Sequence, residues 1–187
     1  MPPKVKLSRQ DLIDTAVDIV RKHGVQQLNA RTIAAERSCS TQPIFSNFAT
    51  MDELRLAVIG QAEVIHEAYI AREIASNLFP SYKASGMAYI RFAKEEPELF
   101  KLLYMRNRGG EEIPENHHLT NQMESIVHQN TGLEGDGAKL FHLEMWAYVH
   151  GIATMFATGF LDLEWDLVSK MLTDVYQGLN KQYGKEL

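Results

Sequence analysis

The chain has 187 residues, of which 19 are basic and 24 acidic, a net charge of −5, and a single cysteine. That length allows one large or two small domains with a true core, and a lone cysteine excludes an intramolecular disulfide and fits a reducing cytoplasm. No uncharged apolar stretch reaches the roughly 18 residues of a membrane span, and Met1-Pro2-Pro3-Lys4 runs into polar sequence with no signal-peptide core, so a cytoplasmic protein with no membrane association is expected. Proline is sparse, strand-like alternation is missing, and Ala, Leu, Glu, Lys and Met are frequent, which predicts an all-α protein.

Leu12, Ile13, Ala16, Val17, Ile19 and Val20 recur at helical spacing, with Ser8 and Asp11 as an N-terminal cap pair and Gly24 as a stop. Asn29 is placed to cap a second helix that turns Ile33 and Ala34 inward. Arg37-Ser38-Cys39-Ser40 forms a tight connection, and a third short helix, 41–47, has Ile44, Phe45 and Phe48 as its apolar side. Helix, short turn and short helix is the helix-turn-helix plan, whose last helix enters the DNA major groove by its first residues.

Thr50 and Glu53 predict a capping box for a fourth helix, whose stripe of Leu54, Ala57, Val58, Ala62, Ile65, Ala68 and Tyr69 runs to about Asn77. At about 25 residues it would span roughly 37 Å and link the head to the rest of the chain. Beyond Pro80, Ser81 caps a predicted helix over 82–95, and Pro97 opens another over 99–105. Residues 106–115 read as a loop and 117–129 as a helix. Gly132, Gly135 and Gly137 are expected to interrupt the chain again. Two long helices, 139–160 and 163–183, close the sequence, with Asp162 as the expected cap of the second and a link short enough for antiparallel packing.

The run Leu28 to Ala35 resembles the second helix of TetR-family transcriptional regulators, Ser40 to Phe48 is similar to that family's recognition helix, and Met51-Asp52-Glu53-Leu54 resembles the start of its fourth helix. The likeness covers about 50 residues at consistent spacing. The chain departs where the family usually has Gly-Val at Ser38-Cys39, Tyr at Phe45, His at Asn47 and Lys at Met51; the last three family residues commonly touch phosphate. Further on, Tyr89-Ile90-Arg91-Phe92-Ala93, Pro97-Glu98-Leu99-Phe100, and Trp146 with His150-Gly151 resemble a TetR ligand-binding domain named for a Trp-His-Gly signature. The resemblance implies a three-helix helix-turn-helix domain at 1–50, a helical effector-binding and dimerisation bundle at 51–187, and about nine helices in all.

Charge distribution agrees with a DNA-facing head. Residues 1–50 hold seven basic and four acidic residues, leaving twelve basic and twenty acidic for the remainder. A basic head on an acidic body directs attraction for a polyanion to one end. Gln42 can pair bidentately with adenine, Pro43 can pack on a thymine methyl, and Ser40, Thr41, Ser46 and Asn47 bring further polar groups. Arg31 opens the second helix and can reach a phosphate, and Lys4 and Lys6 form a basic arm able to follow the backbone. Phe45 joins this set by position alone. A solvated tail and a solvent-facing arginine are the plainer readings of the lysines and of Arg31. Cys39 reads as filler in the turn.

For the body, His66, Tyr69, Phe92, Tyr104, Met123, Trp146 and His150 combine aromatic and sulfur-containing surface with a few polar heads, which suits a small hydrophobic or aromatic effector between helices. The same residues at helical spacing also suit a plain core. Trp146 and His150 stand one turn apart on one face. A homodimer is expected through Ala153, Ala157, Val168, Leu172, Val175 and Leu179, with twofold symmetry matched to a palindromic double-stranded operator. Intrachain burial is the alternative for these positions. No phosphate loop, nucleophile elbow, paired carboxylates or metal spacing is found, so neither an enzyme nor a cofactor is expected. The reading is a ligand-responsive repressor. Its rivals are an all-α enzyme that mimics the motif and an interaction protein on this scaffold with weak or lost DNA binding.

Overall fold

The computed structural model describes residues 7–106 and 121–183, and within them the chain is all helix, with no strand. The described residues form nine α-helices: α1 (Arg9–His23), α2 (Ala30–Glu36), α3 (Gln42–Asn47), α4 (Met51–Ala75), α5 (Ser81–Glu95), α6 (Pro97–Tyr104), α7 (Asn121–Thr131), α8 (Gly135–Ala157) and α9 (Trp165–Tyr183), plus a single 3₁₀ turn at Val25–Gln27. Lys4, Lys6, most of the 106–115 loop and the start of the helix expected from 117 lie outside the described residues. Contacts divide the chain into two compact units. Among the described residues, one holds 7–67 with 96–106, the other 68–95 with 121–183.

In the first unit, α1 begins with the expected box. Ser8 Oγ accepts the Asp11 amide, and the Asp11 carboxylate accepts the Ser8 amide. Its apolar face buries Leu12, Ala16, Val17 and Val20 against α2 and α6. Gly24 ends the helix at φ +79, ψ 166, a region open essentially to glycine, and a Cβ there would stand 2.9 Å from Glu98 Oε2. Nearby, Arg21 donates from Nε and Nη2 to both carboxylate oxygens of Glu96, at 2.9 and 2.8 Å, and so ties α1 to the start of α6. The buried line of α4 runs Leu54, Val58, Ala62 and then His66, one residue per turn, whereas Ala68, expected on the apolar stripe, is exposed.

The second unit is built round α5, which packs against α7, α8 and α9. Gly86 brings the helices close: a Cβ there would meet Leu172 Cδ1 and Val149 Cγ2, each at 3.5 Å. A second cluster joins Tyr82, Val127, Ala138, Phe141 and Met145, with Met123, Val175 and Leu179 packed on it. Where α8 gives way to α9, Trp165 stacks on Phe156 at 5.7 Å and lies under the Arg91 guanidinium at 4.4 Å. Two expectations need correction here. Gly135 opens α8 and Gly137 lies within it, so these glycines start the helix; Gly135 takes φ +57 at its first turn. Asp162 lies three residues before α9, and its carboxylate pairs with Lys94, so it does not cap the helix.

Candidate nucleic-acid interface and effector site

The turn between α2 and α3 follows from backbone bonding. Asn29 Oδ1 accepts the amides of Arg31 and Thr32 and starts α2. At the other end the Cys39 amide bonds Ala34 O (2.9 Å) and the Ser38 amide bonds Ala35 O (3.1 Å), the two bonds of a Schellman motif. That motif needs a left-handed residue, and Ser38 supplies it at φ 49. The family resemblance carries glycine at this position, so the requirement for a left-handed residue could have been read from the sequence.

Ile44 and Phe48 are fully buried and anchor α3. Phe45, expected on the same apolar side, is instead 52 % exposed, because the helix is only six residues long and its inner face is filled by the other two. Gln42 and Ser46 share the outer surface with it, as do Arg31 and Ser40 nearby, while Thr41, Pro43 and Asn47 are half-buried. Thr41 caps α3 by position without a side-chain bond. Two of the expected phosphate donors already serve the helix: Ser46 Oγ donates to Gln42 O at 2.9 Å and Asn47 Nδ2 to Pro43 O at 2.8 Å. In the α4 cap, Glu53 receives the Ala49 amide at 2.7 Å while its own amide donates to Thr50 Oγ1 at 3.1 Å. The box therefore closes one residue earlier than the sequence suggests.

The effector candidates divide between the units. In the first, Tyr104 Oη lies 3.0 Å from His66 Nδ1, with the rings edge to face at 5.7 Å. Assigning the phenol as donor makes the imidazole neutral, with its proton on Nε2. Burial pushes the His66 pKa from 6.5 down to about 4, in keeping with that neutral form. In the second unit, Trp146 stacks on His150 at 5.0 Å, as one-turn spacing suggests, and Tyr89 Oη reaches His150 Nδ1 at 2.9 Å. Burial lowers the His150 pKa as well. A third pair of the same kind, Tyr82 with His142 at 3.0 Å, was not foreseen. Tyr69 donates to Glu95 at 2.9 Å and meets Phe92 edge to face at 5.5 Å. Phe92 shows no accessible surface and is core, a correction to its place among the effector residues. An open hollow lined by His23, Gln27 and Thr32 includes none of these residues.

Four of the six dimer candidates need correction. Ala153, Ala157, Val168 and Leu172 are buried within the single chain and have no surface to offer a second copy; Val175 and Leu179 pack on the Phe141 cluster. Val168 and Leu172 of α9 face inward, where α5 and α8 both pack on the helix and Gly86 gives Leu172 room.

A helix-turn-helix head on an all-helical body is the architecture of a class of transcriptional regulators. Residues 82–175 match the family model described as "Tetracyclin repressor-like, C-terminal domain". A TetR-like transcriptional regulator from Rhodococcus sp. RHA1 is similar in structure, with a TM-score of 0.68 and 18% identity over 95% of this chain and 96% of the other. A protein of unknown function from the same organism reaches 0.71 and 25% over 97% and 98%. The multidrug binding protein EbrR, complexed with imidazole, reaches 0.57 and 19% over 89% and 88%. No curated protein matches the chain. The chain belongs to the TetR family of transcriptional regulators.

Proposed function

We propose that the protein is a homodimeric, ligand-responsive DNA-binding regulator, a repressor that leaves a palindromic operator when a small hydrophobic or aromatic effector binds. The observation that carries the DNA-binding half is the α2–α3 turn, whose left-handed Ser38 sets off a short helix with Gln42, Phe45 and Ser46 outward and Ile44 and Phe48 inward. With the helix-turn-helix as residues 1–50 and the effector-binding and dimerisation bundle as 51–187, the basic excess belongs to the reading end. In the effector half, burial holds His66 and His150 towards the neutral form, and the phenols of Tyr69, Tyr89 and Tyr104 bond within the protein. Such surroundings favour an uncharged apolar molecule over an ion. The multidrug binding described for EbrR is consistent with a deformable site, which Met123 would serve here. To act, the effector must favour the released state over the bound one.

For the second copy we propose the outer faces of α8 and α9. Leu140, Leu143, Ala147 and Gly151 follow one another at three- and four-residue spacing, and a Cβ at Gly151 would meet nothing within 4 Å. On α9 the matching positions are Leu167, Met171 and Gly178. Two such faces would pack as a four-helix bundle.

The test is selection from random duplexes followed by binding in a salt series. Gln42→Ala should weaken the selected duplex by about 1–3 kcal/mol and leave random duplex nearly unchanged. Equal loss on both would mean that Gln42 reads no base. The second reading, an interaction protein with weak or lost DNA binding, draws on exposed Phe45, on the missing cation at Met51 and on the helix bonds of Ser46 and Asn47. A parent protein that shows no salt-dependent binding to any duplex would establish that reading instead.

A further inference from the structure

We propose that Arg9 is a positioning residue for the recognition helix, holding the carboxyl end of α3 against α1 and α4 by bonding Asn47 and Glu53 together. The proposal rests on the DNA-binding reading of α3. Three segments distant in sequence meet at this guanidinium. Arg9 Nη1 donates to Asn47 O at 2.8 Å and to Glu53 Oε1 at 2.9 Å, and the guanidinium carbon lies 4.0 Å over the Phe48 ring. The other oxygen of Glu53 accepts the Ala49 amide, so one carboxylate bridges Arg9 to the backbone between α3 and α4. The Ser8–Asp11 box fixes the backbone from which Arg9 projects.

A helix of six residues has little to orient it. Ile44 and Phe48 set the depth of α3, and its amino end lacks a side-chain cap bond, so the tether at the carboxyl end governs its tilt. Arg9 and Glu53 are 47 % and 41 % exposed, and an ion pair so open to solvent adds little to global stability. Its effect is therefore on where α3 points. Lysine would keep the charge but not the planar fork or its stacking on the Phe48 ring.

The experiment compares the full-length parent with Arg9→Ala and Arg9→Lys. It measures amide hydrogen exchange in the free protein and affinity for selected and random duplexes across a salt series. For Arg9→Ala, exchange at Phe48 and Ala49 should quicken while α1 stays protected. Affinity for the selected duplex should fall about tenfold, the scale of one good base contact, with random duplex changed less than about twofold and the salt slope unchanged. Arg9→Lys should recover only part of this preference. A salt slope shallower by about 0.9, with equal loss on both duplexes, would overturn the proposal by showing that Arg9 itself touches a phosphate. Unchanged exchange and preference would overturn it too, as would acceleration of every amide in the unit, which marks a general stability role. A parent that binds no duplex sinks the DNA-binding reading, and the exchange result alone then decides whether Arg9 holds α3.

Discussion

Acidification should weaken the fold through His66 before most carboxylates titrate. His66 is 9 % exposed, continues the buried line of α4, and has Tyr104 Oη 3.0 Å from its Nδ1. Its pKa is lowered by burial to about 4, against 6.5 for a free imidazole. Between these values the unfolded chain takes up a proton that the folded chain refuses. The stabilisation is therefore complete above about pH 6.5, falls as the pH drops towards 4, and levels off below that. A difference of about 2.5 units at 1.36 kcal/mol each gives about 3 kcal/mol in all, of which about 2.5 is lost by pH 4.5. Urea denaturation of the parent and His66→Gln at intervals from pH 7.5 to 4.5 measures it. Glutamine can still accept the Tyr104 hydroxyl but does not titrate, so the fall of the parent's profile relative to the variant's belongs to His66. His150 shifts in the same direction and is common to both proteins. Parallel profiles over the whole range would refute the reasoning and show that water reaches the imidazole.

Four further outcomes follow from single contacts. Ser38→Gly should raise stability by about 1 kcal/mol in thermal denaturation, since glycine takes φ 49 without the left-handed penalty of a Cβ. Gly24→Ala should lower stability by about 1–3 kcal/mol, because it combines an unfavourable backbone region with the approach of Glu98, and the loss is readable in urea midpoints. Met51→Lys should steepen the log K against log salt slope by about 0.9 if the first turn of α4 meets a phosphate; an unchanged slope places it away from the backbone. If two copies pair through the proposed α8–α9 face, Leu143→Glu should leave the fold intact and shift sedimentation towards monomer, whereas Leu172→Glu, buried within the chain, should unfold the protein at either assembly state.

Local features were legible in the sequence because they depend on residues three or four apart. The Ser8–Asp11 box, the Asn29 cap and the Trp146–His150 stack all appear as their spacing suggests. Burial direction was less legible. Phe45 and Phe48 both fit the apolar side of a short helix, and only the supply of interior space decides that Phe48 goes in and Phe45 stays out. The same applies to α9, where periodicity identifies the apolar stripe but not whether α5 or another chain covers it. For Leu172 the cover comes from within the chain, where Gly86 on α5 admits it; Val175 and Leu179 stay partly exposed. Polar pairings at long separation left no mark at all. Nothing in the sequence links Arg9 to Glu53, Arg21 to Glu96, or Tyr89 to His150.

Those long-range pairs bear on what the proposed effector site can recognise. Sequence composition presents His66, Tyr104 and His150 as polar heads available to a ligand, and the structure adds Tyr89 beside His150. In the fold each phenol is already within hydrogen-bond distance of an imidazole Nδ1. A ligand that took either partner of such a pair would have to return the bond it displaced, or leave a buried polar group unsatisfied at a cost of about 1–3 kcal/mol. An apolar molecule packed beside the pairs avoids that cost and gains from the area it removes from water. Selectivity at a site in the second unit would then come from shape, through Met123, Trp146 and the aromatic rings, with the Tyr89–His150 pair serving to hold the Trp146 stack in place. Replacing Tyr89 by Phe tests the division of roles. It removes the hydroxyl bonded to His150 and keeps the ring, so it should loosen the Trp146–His150 stack, seen as a change in tryptophan fluorescence, without abolishing the thermal stabilisation given by an apolar compound. Loss of that stabilisation with the stack intact would mean instead that the hydroxyl meets the ligand directly.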